Sequence, residues 1–392
     1  MAFIAQATFR VNNRAPTAMG RAMPHRLGGV GVRKLDRWKW WAMINQIKLD
    51  NFGPLSSVHW PALGKINLVI GGNGTGKTFL LKAIYSSLRT LEAYKRGNEP
   101  RSAAEILVEK LYWTFQAEKI GDLVSKGADA PLSSVLTIDQ NDFSYSFGKD
   151  TSKQISSPEN HVPPRASNSV FLPAKEVLSL HQIILKSREQ DKVFGFDDTY
   201  YDLAKALRIS TSKGRNYKEF AQSRTQLEDI LGGVVEYDDT SGRWLFVKGR
   251  HKFPIGVTAE GIKKIAILDT LLGNRYLDTH SVVLIDEPES ALHPTAISQL
   301  LDIVAMLAES GIQFFMASHS YFVVKKLFLI AQERGWSIPV ISATGSTWVC
   351  DDLKSGMPDN PIIAESIRLY QQEVEPANGR HHGQPRSHRR VT

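Results

Sequence analysis

Cysteine is nearly absent from this 392-residue sequence, and long apolar stretches are absent altogether. The single cysteine, Cys350, excludes an internal disulfide and a cysteine-rich metal site. Low cysteine usage fits a reducing compartment, so we predict a cytoplasmic protein. No stretch approaches the ~18 uninterrupted apolar residues of a membrane-spanning helix, and residues 1–42 lack the roughly 7–15-residue apolar core of a secretory signal. We therefore expect no membrane partner.

Positive charge is concentrated at the two ends of the chain. Residues 1–42 carry eight Lys or Arg against one Asp, and residues 379–392 carry four Arg and no acid. Since the whole chain has a net charge of +8, residues 43–378 are mildly acidic. We predict both ends to be disordered. For residues 1–42 we prefer a natural start at Met43; the alternative is a basic arm that binds nucleic-acid phosphates and stacks bases on its tryptophans.

A phosphate-binding loop follows the apolar run 66–70 and precedes the helical pattern that begins at Phe79. It has the G-x-x-x-x-G-K-[ST] pattern of a Walker A motif. In this motif successive backbone N–H groups surround the phosphates, the lysine reaches the β- and γ-phosphates, and the hydroxyl ligates Mg²⁺. The sequence therefore predicts an ATP site with bound Mg²⁺, formed by Gly71, Gly72, Asn73, Gly74, Thr75, Gly76, Lys77 and Thr78.

A second strand, 281–286, ends in the adjacent carboxylates Asp286 and Glu287 and indicates a Walker B motif. A continuous apolar run is typical of a buried parallel strand, whose carboxyl end is where such sheets place their chemistry. We predict that Asp286 holds Mg²⁺ and that Glu287 activates the attacking water as general base.

A third apolar strand ends at Ser318-His319-Ser320. The chain between Asp286 and His319 has room for one helix and a crossover to the neighbouring parallel strand. We predict that His319 lies beside the γ-phosphate and joins Glu287 and Lys77 as the catalytic residues.

These three motifs in this order resemble the ATP-binding-cassette ATPase heads of the RecF, SMC and overcoming-lysogenization-defect type, and the related bacterial "AAA family" ATP-binding proteins. The resemblance covers roughly Met43 to Thr344 and includes 47–54 as the first strand. It implies an ATP-sandwich homodimer in which a signature segment of one subunit completes the site of the other. The loop 291–293 would be the place where the two subunits communicate.

The signature segment and the Q-loop both depart from the usual pattern of such heads. Thr258 and Gly261 are the candidate trans-acting signature residues, within 257–264. The same segment also fits a helix start with Thr258 as N-cap. No glutamine follows the strand 169–173, where Lys175 stands; it either replaces the missing phosphate or water contact or is simply exposed at a helix start.

The fold class expected is a phosphate-loop α/β protein with a parallel core sheet, an antiparallel β edge and a helical insert. We assign the ATPase domain to 43–350, with an insert of mixed β and helical structure at 90–250, and a C-terminal helix region to 351–378. Within the insert, helical spacing runs from Ala103 to Lys126, and strands at 234–237 and 244–247 form a hairpin. No sustained heptads occur, so a long coiled coil is not expected.

The function expected is an ATP-hydrolysing, ATP-switched head in DNA repair, mobile-element maintenance or anti-phage defence. Lysogenization-defect-type proteins add a metal-dependent nuclease domain, but too little chain and too few carboxylates follow His319 for one. We therefore expect no nuclease activity, with any cutting left to a separate effector protein, and DNA is a candidate partner. Two alternatives remain: an ATP-binding scaffold for that effector, and the ATPase subunit of a membrane transporter.

Overall fold

The computed structural model describes residues 43–210, 218–345 and 347–379. The basic ends, and the predictions made for residues 1–42 and 380–392, lie outside this part of the chain. The described strands are β1 Ile44–Phe52, β2 Leu55–Trp60, β3 Ile66–Ile70, β4 Leu132–Ile138, β5 Asn141–Phe147, β6 Glu159–Asn160, β7 Ser169–Leu172, β8 Val234–Asp238, β9 Arg243–Lys248, β10 His251–Pro254, β11 Val282–Asp286, β12 Gln313–Ser318, β13 Pro339–Thr344 and β14 Thr347–Asp352. The helices are α1 Lys77–Ala93, α2 Ala103–Phe115, α3 His181–Glu189, α4 Asp198–Leu207, α5 Lys218–Leu231, α6 Glu260–Gly273, α7 Pro294–Glu309, α8 Tyr321–Arg334 and α9 Pro361–Gly379.

The core sheet has six strands in the order β14-β13-β3-β12-β11-β7. All neighbouring pairs are parallel except β13 with β14, which is antiparallel at the edge. The strands β3, β7, β11 and β12 are buried along their whole length, which explains their continuous apolar runs. The predicted α/β phosphate-loop fold with an antiparallel edge is confirmed, as is the predicted pairing of β11 with β12.

Apolar side chains cover both faces of the core sheet. On one face, residues of β3, β11 and β12 pack with α4 through α8. On the other face, α1 lies between the core sheet and a second, antiparallel sheet of order β2-β1-β4-β5-β6. The helix α1 is thus packed between two sheets. Because it starts at Lys77, this packing fixes the phosphate loop at the N-terminal end of α1.

The helical insert is joined to α1 by buried ion pairs. Lys82 contacts Asp197 at 2.6 Å, and Asp202 accepts from Lys110 at 3.0 Å and from Arg89 at 3.3 Å. Burial costs a charge several kcal/mol unless a partner compensates it. Here each named carboxylate has at least one cationic partner, so Lys82 and Arg89 fix α4 against α1, and Lys110 fixes it against α2.

A third sheet, of order β10-β9-β8, precedes α6. Its β8–β9 pair is the hairpin predicted from the sequence, whereas β10 was not predicted. The predicted helix 103–126 is shorter in the structure. It ends at Phe115, because Gln116 adopts a left-handed φ of 52°, and a separate 3-10 turn covers Ile120–Leu123.

Candidate active site

The phosphate loop connects β3 to α1 through backbone conformations that only glycine adopts easily. Gly74 and Gly76 have φ angles of 76° and 95°, and a Cβ on Gly76 would lie 2.8 Å from Leu55 Cδ2. No side chain caps α1, and its first turn carries no acidic residue. Its first N–H groups are therefore available to an anion, which fits a bound triphosphate.

Lys77 lies inside this loop. Its Nζ donates to the carbonyl oxygens of Gly71 at 2.9 Å and Gly72 at 2.7 Å. Burial lowers the pKa of Lys77, while the carboxylates of Asp286, Glu287 and Glu289 act in the opposite direction. An incoming phosphate would supply the negative charge that the buried ammonium group lacks at close range.

The two residues predicted to hold Mg²⁺ are in contact. Thr78 Oγ1 donates to Asp286 Oδ2 at 2.9 Å and is 3.1 Å from Oδ1. Burial raises the pKa of the Asp286 carboxyl, so a cation beside it would be stabilising. A hydroxyl and a carboxylate oxygen are the hard ligands that Mg²⁺ prefers, and the donor set therefore fits this ion.

Glu287 leaves the strand direction immediately after Asp286. It has a φ of 48°, and its N–H donates to the Ala317 carbonyl at 2.9 Å. Lys264 of α6 lies underneath, with Nζ 2.6 Å from the Glu287 carbonyl oxygen. Burial lowers the pKa of Lys264 to about 8, although Glu289, Asp286 and Glu287 all act to raise it. This lysine therefore helps to hold an unusual backbone conformation at the predicted general base.

His319 lies between two carboxylates. Its Nδ1 is 3.6 Å from Glu287 Oε1 and 3.6 Å from Glu289 Oε1. Glu289 Oε1 also accepts from the His319 N–H at 3.1 Å and from Ser318 Oγ at 2.9 Å. Glu289 thus fixes the turn that carries His319, a role that the sequence did not assign, because the contact crosses from one strand to the next.

The candidate signature segment lies against the loop that follows the Walker B strand. The helix α6 begins at Glu260 with Ala259 as N-cap, and no side chain caps it, so Thr258 is not the N-cap that the alternative interpretation required. A Cβ on Gly261 would lie 2.9 Å from the Ala291 carbonyl oxygen and 2.7 Å from Leu292 Cδ2. Only glycine allows this approach, which joins the signature segment to the loop 291–293.

Lys175 is exposed and lines a cavity of about 270 Å³ beside Lys264. The other lining residues come from the Walker B loop, α6 and the start of the insert: Ala174, Glu176, Leu180, Glu260, Ser290 and Ala291. The structure therefore brings the missing-glutamine position to the same cavity as the signature helix and the loop 291–293. It records no bond from the Lys175 side chain to the phosphate loop.

Comparison with known proteins adds a family match. The model of a family described as "AAA domain, putative AbiEii toxin, Type IV TA system" matches residues 66–325. No curated protein matches the chain. In the part of the chain that the structure describes, no helix is both long and apolar enough to cross a membrane.

Three solved structures of SMC heads are similar to the chain. An SMC head bound to the C-winged helix domain of ScpA has 14% identity and a TM-score of 0.48, over 79% of this chain and 97% of that one. The head domain from Thermotoga maritima has 13% identity and a TM-score of 0.42, over 79% and 98%. The Pyrococcus furiosus head with an extended coiled coil, bound to the C-terminal domain of ScpA, has 11% identity and a TM-score of 0.45, over 85% and 99%.

Proposed function

Because the chain belongs to the AAA-domain family that matches residues 66–325, we propose that it is an Mg²⁺-dependent ATPase head that works as an ATP-switched homodimer. The resemblance to ATPase heads of the RecF and SMC-like group is confirmed by this membership. Binding and hydrolysis of ATP follow from the family. The Mg²⁺ dependence, the dimer and the roles of individual residues are our proposal.

The contact between Thr78 and Asp286 is the observation that carries this proposal. Both side chains face one point at the start of α1, where Lys77 also lies. Glu287 follows on the same strand end, and His319 is 3.6 Å from its carboxylate. Lysine, hydroxyl, two carboxylates and histidine therefore surround the position where the phosphate loop would hold a γ-phosphate.

Each group has a chemical role in this proposal. The loop 71–78 and Lys77 bind the phosphates, and Thr78 and Asp286 hold Mg²⁺. The ion supplies charge neutralisation at the phosphate oxygens when bound. Glu287 Oε1 accepts the proton of the attacking water, and His319 contacts the γ-phosphate from the adjacent strand. Glu289 keeps His319 in place by accepting a hydrogen bond from the His319 backbone N–H.

The close packing of Gly261 on Ala291 would couple the signature segment to the loop 291–293 within each subunit of the homodimer. A signature segment that touches the partner's γ-phosphate through Thr258 would move together with the loop 291–293 of its own subunit. Val257, directly before it, is 76% exposed, as expected for a residue that another subunit covers. The dimer would then close when both of its sites hold ATP and reopen after hydrolysis.

We place this activity in the cytoplasm, in mobile-element maintenance, anti-phage defence or DNA repair. The family description, which refers to a toxin of a toxin–antitoxin system, supports the first two roles over repair. A separate effector protein and DNA are the partners proposed. The division into an ATPase domain 43–350 with its insert, a C-terminal helix region and two basic ends is also part of the proposal.

Steady-state phosphate release by the full chain tests the chemistry. Glu287→Gln should bind ATP with unchanged affinity and hydrolyse it at least ~10²-fold more slowly, because it removes a positioned general base. Lys77→Ala should lose ATP affinity itself and serves as the blank. Near-normal turnover by Glu287→Gln would refute its role as general base. If the wild type releases phosphate in a single turnover only, the scaffold alternative is favoured.

A further inference from the structure

The hairpin of β9 and β10 has an exposed basic tip. A two-residue turn, Gly249–Arg250, joins the strands, and Gly249 has a φ of 60°, which the first central position of a type II′ turn requires. All residues from 248 to 254 are exposed. From Arg243 to Ala259 the chain has four Lys or Arg and one His but no Asp or Glu, although residues 43–378 are acidic overall. The tip is therefore a local positive patch.

Two cations at this tip have no carboxylate partner among the residues that the structure describes. Lys252 pairs with Glu236 at 2.6 Å, but both side chains are well exposed, and such pairs contribute about 0–1 kcal/mol. Lys248 and Arg250 make no ion pair with any residue that the structure describes. Their charge is available to a polyanion from solution.

An exposed aromatic ring lies on the same hairpin, three residues after Arg250. Phe253 is 43% exposed, and its ring centroid is 6.3 Å from that of His251. On the sheet it is opposite Phe246, which is buried, so the backbone beneath Phe253 is fixed by the core. Proteins that bind single-stranded nucleic acid combine cations, which contact the phosphates, with exposed aromatic rings, on which the bases stack.

We propose that the tip of the β9–β10 hairpin binds single-stranded nucleic acid, with Lys248 and Arg250 on phosphates and Phe253 stacked on a base. The strand β10 continues through the 3-10 turn Ile255–Val257 directly into Thr258. Ile255 is buried in this turn, which joins the hairpin directly to the signature segment. Nucleic acid bound at the tip would thereby act on the part of the chain that contacts the other subunit. This inference extends the proposed function, but binding at the tip does not depend on it.

Fluorescence anisotropy of the full chain without ATP tests the proposal, so that a failure of hydrolysis does not affect the result. The probes are a labelled 20-nucleotide oligo-dT and a 20-base-pair duplex, each titrated at several salt concentrations. The variants are Lys248→Gln with Arg250→Gln, Phe253→Ala and Phe253→Tyr. The matched control is Lys149→Gln with Lys153→Gln, which removes two exposed lysines from the loop after β5.

We expect tighter binding of oligo-dT than of duplex by the wild type. The double hairpin variant should lower the salt slope for oligo-dT by about 1.4, or ~0.7 for each lost phosphate contact. Phe253→Ala should weaken binding at least ~5-fold with an unchanged slope, since one stacked base is lost, and Phe253→Tyr should bind like the wild type. The proposal is overturned by a double variant that behaves like the control pair, by an unaffected Phe253→Ala, or by preferred binding of duplex.

Discussion

At the residue scale, Glu289 connects the two strands that carry the catalytic groups. Its Oε1 accepts from Ser318 Oγ and from the His319 N–H. Glu289→Ala leaves both donors without this partner, which costs about 1–3 kcal/mol where they are buried. We expect kcat to fall at least ~10-fold with little change in KM for ATP, because the phosphate loop is untouched.

Glu289→Gln retains an amide oxygen that can accept the same two hydrogen bonds, so it should recover most of the lost kcat. Initial-rate kinetics over a range of ATP concentrations would measure both variants. Equal loss in Glu289→Ala and Glu289→Gln would show that the charge, and not the position of His319, matters.

His181 gives the protein an acid-sensitive position in the helical insert. Burial lowers the pKa of His181 from its usual 6.5, against the hydrogen bond to the Ala204 carbonyl; Arg208 lowers it further. The unfolded chain therefore takes up a proton between pH 6.5 and this lowered pKa while the folded chain does not. Stability present above pH 6.5 is lost as the pH falls through this window.

Urea unfolding at several pH values would measure this loss, which for one proton is at most about 1.4 kcal/mol per pH unit. His181→Gln should show a flatter dependence below pH 6.5 than the wild type. Parallel curves for the two proteins would contradict the assignment to this histidine.

Residues whose type and spacing define a motif can be located from the sequence, whereas residues that act through contacts between distant segments cannot. The loop 71–78, Asp286, Glu287 and His319 could all be located from strand ends. Lys264 could not, because its contact with the Glu287 carbonyl depends on how α6 packs under β11. The left-handed backbone of Glu287 is likewise invisible in the sequence, since glutamate rarely adopts it.

At the element scale, the start of α6 depends on one glycine. A Cβ at Gly261 would meet the Ala291 carbonyl at 2.9 Å, which forces α6 away from the loop 291–293. Gly261→Ala should therefore reduce ATP turnover at least ~10-fold while leaving ATP affinity nearly unchanged, because misplacement by about an ångström is enough for such a loss.

Gly256→Ala is the matched control for this prediction. Gly256 lies five positions earlier and has open space where a Cβ would be added. Phosphate-release assays and filter binding of labelled ATP on both variants would separate the effects. A Gly261→Ala protein as active as Gly256→Ala would show that the packing does not matter for hydrolysis.

Element boundaries were less predictable than element types. The β8–β9 hairpin was correctly placed by its turn at 241–242, but β10 has only four residues, none buried, and so lacks an apolar pattern. The sequence predicts a helix that continues to Lys126, but α2 ends at Phe115. Gln116 terminates it in a left-handed conformation that Gly or Asn usually adopts.

At the scale of the whole molecule, the ATP-bound form should be a dimer. The hydrolysis-deficient Glu287→Gln variant is expected to double its mass from 43.8 kDa when ATP and Mg²⁺ are added. Lys77→Ala should remain monomeric under the same conditions, since it cannot hold the nucleotide. Light scattering after size exclusion would measure both masses. A monomer at all ATP concentrations would contradict the switched homodimer while leaving the chemistry of the site intact.

The position of β3 inside the core sheet has a consequence for biosynthesis. Among the described strands, the one that carries the phosphate loop pairs with β12 and β13, whose pairing residues begin at Phe314 and Val340. A ribosome must therefore make roughly 240 further residues after β3 before its first sheet neighbour exists, and such long-range pairing is slow. Until then the nascent chain exposes an apolar strand on both edges, so we expect chaperone dependence during translation. Any truncated product that ends before β12 should be unable to bind nucleotide.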